Sequence, residues 1–175
     1  MQLELKQGFS ISDIATHDRD AYVEHLLDKQ IYDQTLAIPF PYTHEDADNW
    51  IARVAADAAR LGESVNWAIR EPGGELVGGI GFFDAEPGKS HRAEVGYWLA
   101  RPHWGKGLMT EAVRKVTSFA FEEWKLVRIT AHVFAFNVGS ARVLEKAGFQ
   151  LEGHLRKHYL KDGRFLDGKL FAKVV

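Results

Sequence analysis

The chain has 175 residues, 46% of them hydrophobic and 26% charged, which suits one domain (1–175) with a sizeable core. The formal net charge is -2, so no strong field favours nucleic acid or an anionic membrane surface. There are no cysteines, which removes disulfides, thiolate metal sites and cysteine nucleophiles. Residues 1–10 lack the apolar core of a signal peptide, and no apolar run reaches the ~18 residues of a membrane helix. The expectation is a cytoplasmic protein with no membrane partner.

Phe9 to Ile14 reads as a first short strand. Asp18 or Asp20 is expected to cap a short helix carrying Tyr22, Val23, Leu26 and Leu27. The two prolines in Ile38-Pro39-Phe40-Pro41-Tyr42 forbid a helix there. Thr43, followed by Glu45 and Asp46, opens a helix through Trp50, Ile51 and Val54 to about Leu61, with Gly62 as its stop. Three strands follow: Val65 to Arg70, Glu75 to Asp84, and His91 to Leu99. The short turns between them predict antiparallel hairpins.

Arg101-Pro102 ends the third strand, and Gly105 and Gly107 allow a tight turn. From Leu108 to Glu123 the apolar residues recur at mostly helical spacing. A glycine turn opening onto a helix N-terminus offers free N–H groups and the positive end of a dipole, which suits a phosphate. The turn lacks the third glycine of a dinucleotide fold and the Gly-Lys-Ser/Thr of a Walker loop. Leu126 to Phe134 is β-rich. Asn137 caps a short helix to Ala147, and Gly148 ends it. Phe149 to Tyr159 and Phe165 to Val175 form a closing hairpin about Lys161-Asp162-Gly163-Arg164. The order β, α, α, β, β, β, α, β, α, β, β describes an α+β domain whose mostly antiparallel sheet has one parallel crossover over the central helix.

Four blocks in this order carry a resemblance: Ile38-Pro39-Phe40-Pro41-Tyr42-Thr43 with Trp50-Ile51; Glu94-Val95-Gly96-Tyr97-Trp98-Leu99; Trp104-Gly105-Lys106-Gly107-Leu108-Met109-Thr110-Glu111-Ala112; and Asn137 to Phe149. Together they resemble the GNAT N-acetyltransferase superfamily, in its RimJ/RimL-type branch of ribosomal-protein alanine N-acetyltransferases and their relatives. Trp104 stands where most of the superfamily has arginine or glutamine.

The resemblance implies a GNAT-like sheet with helices on both faces and a splayed central strand pair. It implies a bulge in the Glu94–Leu99 strand and splaying from the strand of Val127 to Val133. Acetyl-CoA is the implied co-substrate. Its pantetheine would meet the backbone of Leu99 and Ala100, and its pyrophosphate the N–H groups of Trp104, Gly105, Lys106, Gly107, Leu108, Met109 and Thr110. Glu94 would be the general base, or a carboxylate that pairs with Arg92 and does no chemistry. Ser140 would donate to the departing CoA sulfur, or bond its own backbone. Asn137 would cap its helix, bind cofactor amides, or do both.

Tyr42, His44, Phe83 and Tyr159 are acceptor-side candidates, with packing as the alternative for each. His154 and His158, on a strand, lie too far apart to share a metal, so no metal is expected. The resemblance leaves three functions open. The first is an N-acetyltransferase acting on a protein or peptide N-terminus. The others are an enzyme for a polyamine, antibiotic or other small amine, and a CoA-binding regulatory module. A monomer and a homodimer both fit the family.

Overall fold

The computed structural model describes all of residues 1–175. Eight strands form one sheet in the order β1-β2-β3-β4-β5-β6-β8-β7. They are β1 (Leu3–Glu4), β2 (Ser10–Asp13), β3 (Asn66–Arg70), β4 (Leu76–Phe83), β5 (Arg92–Leu99), β6 (Arg128–Phe134), β7 (Gln150–Lys161) and β8 (Arg164–Val174). Every neighbouring pair is antiparallel except β5 and β6, which run parallel across the crossover helix. The helices are α1 (Arg19–Leu26), α2 (Lys29–Asp33), α3 (His44–Leu61), α4 (Leu108–Glu123) and α5 (Val138–Lys146).

Most helix boundaries follow from local chemistry. Thr43 and Asp46 form a reciprocal capping box at the start of α3: the Thr43 N–H donates to Asp46, and the Asp46 N–H donates to the Thr43 hydroxyl. Gly62 ends α3 in the left-handed conformation at φ 85°. Asn137 Oδ1 accepts the Ser140 N–H at 2.9 Å and so caps α5. Two elements escape the sequence pattern. β1 is two residues long, and α2 is a five-residue turn capped by Asp28.

Asp18 departs from expectation too. Its side chain does not cap α1. Instead it accepts the Ala15 N–H and takes a two-pronged contact from the Arg70 guanidinium, at 2.6 and 2.9 Å. At 2% exposure the carboxylate needs that partner more than α1 needs a cap.

The sheet is covered on both faces. On one, α4 and α5 supply Val113, Val116 and Leu144 to a core with Val95, Leu99, Ile129, Ala131 and Val133. On the other, α1, α2 and α3 bury Tyr22, Leu26, Ile31 and Ile51 against Ala68 and Leu76. Residues on a strand alternate between these faces. Tyr97 therefore points toward α4 and α5, whereas Glu94 and Trp98 point toward the α1–α3 layer.

Candidate active site

The defining feature is a split in the middle of the sheet. β5 and β6 pair only at Arg92–Arg128, Ala93–Ile129 and Glu94–Thr130. Beyond that point β5 continues to Leu99 and β6 to Phe134 without each other. The expected splay is present; the expected bulge is not. β4 and β5 keep an unbroken register from Gly78–Leu99 to Phe83–Glu94, so β6 leaves a regular strand.

The direction of the peptide groups follows from two bonds. The Ala100 N–H donates to Val77 on the β4 side, and His91 C=O accepts from Val127 on the β6 side. Alternation then turns the peptide groups of Val95, Tyr97 and Leu99 toward the split, where β6 no longer pairs with them. Of the two residues expected to serve pantetheine, Leu99 faces the opening with its N–H. Its C=O is taken by the Trp104 indole, which donates from Nε1 at 2.6 Å. Ala100 offers nothing free: its N–H is on Val77 and its C=O accepts from His103.

The glycine turn is shaped for an anion. Gly105 and Gly107 both hold left-handed conformations, at φ 73° and 75°. Gly107 brings no side-chain cap to α4, and the first N–H to bond back is that of Glu111, to Gly107 C=O. The N–H groups of Leu108, Met109 and Thr110 are left without intrahelical acceptors at the positive end of the helix dipole. Glu111, the acid of the first turn, is drawn aside: both its oxygens accept the Lys6 N–H at 3.2 Å.

The loop is also anchored. Arg101 donates to Asp28 at 2.7 Å, His103 meets the Phe9 ring edge-on at 5.4 Å, and the Lys6 ammonium donates to Lys106 C=O. Burial holds His103 below the usual histidine value. Lys106 itself is exposed. Lys6 adds a cation beside the turn that no sequence pattern marked.

On the α4–α5 face, Ser140 Oγ lies 2.8 Å from the Tyr97 hydroxyl. Burial pushes the Tyr97 pKa well up, so this phenol remains a neutral proton donor. Tyr97 was missed as a site residue, although strand alternation alone would have turned it toward the helix that carries Ser140. On the opposite face, Glu94 Oε2 lies 3.0 Å from His132 Nδ1, with 34% of the Glu94 side chain exposed. Phe83 is the direct β4 neighbour of Glu94, and its ring fills the place a β-carbon at Gly96 would occupy, 2.5 Å from Cε2. Tyr159 lies over Gly168 in the same way, with its edge toward Phe134.

Two other acceptor-side candidates stand apart from this cluster. Tyr42 is packed into the core of the α1–α3 layer. His44 is exposed and faces Asp20 at 3.2 Å. His154 lies near Asp167 at 3.5 Å, and no three potential metal ligands converge anywhere in the chain.

The strands part after Glu94, with a carboxylate on one face, a hydroxyl pair on the other and a glycine turn with open amides after β5. The family model of the acetyltransferase (GNAT) domain matches residues 10–150. The chain belongs to the GNAT acetyltransferases and is an acetyl-CoA-dependent N-acetyltransferase.

It is 47% identical over 97 residues to a probable N-acetyltransferase, YjcK, of Bacillus subtilis, a match spanning 55% of this chain and 54% of that protein. It is 30% identical over 175 residues to an uncharacterized N-acetyltransferase, p20, of Bacillus licheniformis, spanning 98% of this chain and 96% of the relative. The solved structure of RimL, a ribosomal L7/L12 alpha-N-protein acetyltransferase in complex with coenzyme A, superposes with a TM-score of 0.88 at 19% identity, covering 100% of this chain and 98% of that one.

Proposed function

We propose that the protein acetylates the α-amino group of a protein or peptide N-terminus by direct attack on acetyl-CoA in a ternary complex. The observation that carries this reading is the arrangement of Glu94 and the Tyr97–Ser140 pair on opposite faces of the sheet, at the two sides of one split. In this reading Glu94, or a water it holds, removes a proton from the acceptor ammonium. The free amine attacks the thioester carbonyl, and a backbone N–H on the open side of β5 polarises its oxygen. The C–S bond breaks, and Ser140, backed by Tyr97, supplies a proton to the thiolate. The amides of the glycine turn hold the pyrophosphate, and Asn137 serves as the cap of α5.

The choice of acceptor rests on what surrounds Glu94. Phe83, Trp98 and His132 share its face of the sheet, Tyr159 lies near enough to feel its charge, and the Glu152 carboxylate on that face is already paired with Arg128. A polyamine would call for several acids. Of the acids at the start of α3, Asp46 is held in its capping box and Asp48 pairs with Arg19 at 2.6 Å. RimL, of the same fold, is described as an alpha-N-protein acetyltransferase. A panel of N-terminal peptides, polyamines and aminoglycosides, offered in competition and read by mass spectrometry, tests this choice. Preferential acetylation of a peptide α-amine is expected. Modification of polyamine alone would overturn the peptide reading and leave the transferase intact.

A further inference from the structure

Direct transfer to an ammonium has a fixed stoichiometry. An ammonium and acetyl-CoA give an amide, free CoA thiol and one proton that must reach solvent. If Glu94 collects that proton, it has to be emptied once in every turnover. The structure places one group beside it that can carry a proton onward.

His132 lies on β6 two residues after Thr130, the last partner of β5, so its side chain shares the face of Glu94 where the strands part. Its Nδ1 is 3.0 Å from Glu94 Oε2, 27% of its side chain is exposed, and its Nε2 bonds no protein group. The exposed His158 stacks on it at 5.8 Å with the rings 9° from parallel, which fixes the plane of the imidazole. Tyr159 braces His158 edge-on at 4.7 Å. Burial and the nearby Glu94 push the Tyr159 hydroxyl up to about 12, so it stays protonated.

We propose that His132 takes from Glu94 the proton removed from the acceptor ammonium and releases it to solvent, with His158 holding its ring in place. In the first step an N–H bond of the ammonium breaks and an O–H bond forms on Glu94. In the second that O–H breaks and an N–H forms on His132 Nδ1. The Nε2–H then goes to water, and the imidazole is neutral again after a tautomeric shift. His132 is a proton-carrying residue acting through Glu94. The inference rests on the reading of Glu94 as base.

The test uses the full-length chain with its best acceptor, comparing wild type, His132→Ala, His132→Gln and Glu94→Gln. If wild type acetylates nothing, the transfer reading fails before this one is reached. Given wild-type activity, both His132 variants should lose kcat by about 10²-fold, the low end of the range for general acid–base groups. KM for acetyl-CoA and thermal stabilisation by CoA should not change. Free imidazole in the buffer should restore a measurable part of the His132→Ala rate and none of the Glu94→Gln rate. Near-wild-type turnover in either His132 variant would overturn the proposal, since neither alanine nor glutamine can take a proton from the carboxylic acid. So would a loss in a CoA-binding His132→Ala protein that imidazole leaves untouched.

Discussion

The Tyr97 hydroxyl and Ser140 Oγ, 2.8 Å apart, tie the middle of β5 to the first turn of α5. Each residue owes its position to a simple local rule. Tyr97 is turned to this face by strand alternation, and Ser140 is held by the Asn137 cap on its own N–H. A hydroxyl pair at the edge of the split can pass a proton toward a leaving thiolate. Ser140→Ala should therefore lower kcat by about 10²-fold with little change in KM for acetyl-CoA. Tyr97→Phe should give a smaller loss, because serine keeps its own proton. Steady-state kinetics with a fixed acceptor would decide; an unchanged kcat in Ser140→Ala removes the pair from the mechanism.

Gly107→Asp probes the glycine turn proposed to hold pyrophosphate. Position 107 has φ 75°, and the substitution sets a carboxylate where the open amides of Leu108, Met109 and Thr110 converge. The strain of a non-glycine residue there is about 1–3 kcal/mol, which a folded domain can absorb. CoA binding by calorimetry should fall below detection while the circular dichroism spectrum persists. Retained affinity would move the pyrophosphate elsewhere.

Little of this turn was hidden in the sequence. The two glycines, the strand before them and the helix from Leu108 to Glu123 are all written in local patterns, and α4 begins and ends where its periodicity does. The capping box of α3 and the Asn137 cap of α5 were equally legible, because a cap is a short-range contact. What was not legible depends on contacts between residues far apart in the chain. Lys6 reaches Lys106 and Glu111, and His132 meets Glu94 only because the crossover lays β6 beside β5. The use of both Ala100 peptide groups is likewise decided by strand pairing and by the turn after it.

Asp18 and Arg70 give a prediction on stability. The carboxylate is 2% exposed, and the guanidinium also donates to Ser12 Oγ at 2.6 Å and to the carbonyls of Asp13 and Gly74. The same hydrogen bond to Asp18 raises the Arg70 pKa, so the guanidinium stays charged. Arg70→Met leaves the buried carboxylate without its guanidinium partner and should cost about 3–5 kcal/mol in urea unfolding. Asp18→Asn with Arg70→Met should recover a large part of that loss. A single Arg70→Met variant as stable as wild type would contradict the assignment.

High pH should unfold the protein through its buried phenols. Burial raises Tyr42 to about 12, and burial with Glu94 raises Tyr159 to about 12, from a usual value of 10.0. A folded pKa above the unfolded one means that stability is full below pH ~10 and is lost as pH rises through ~12, because the unfolded chain sheds these protons first. Tyr42→Phe should flatten this alkaline decline in a thermal-melt series. An unchanged slope would place the ionisation on other groups.

The most direct measurement is thiol release from acetyl-CoA, followed together with CoA-dependent thermal stabilisation, in the presence of mixed N-terminal peptides and small amines. The expected result is stabilisation by CoA and one thiol released for each acetyl group found on an amine, with Glu94→Gln and Ser140→Ala slow in release yet still stabilised. Stabilisation without thiol release for any acceptor would contradict a transferase and leave a CoA-binding module in its place.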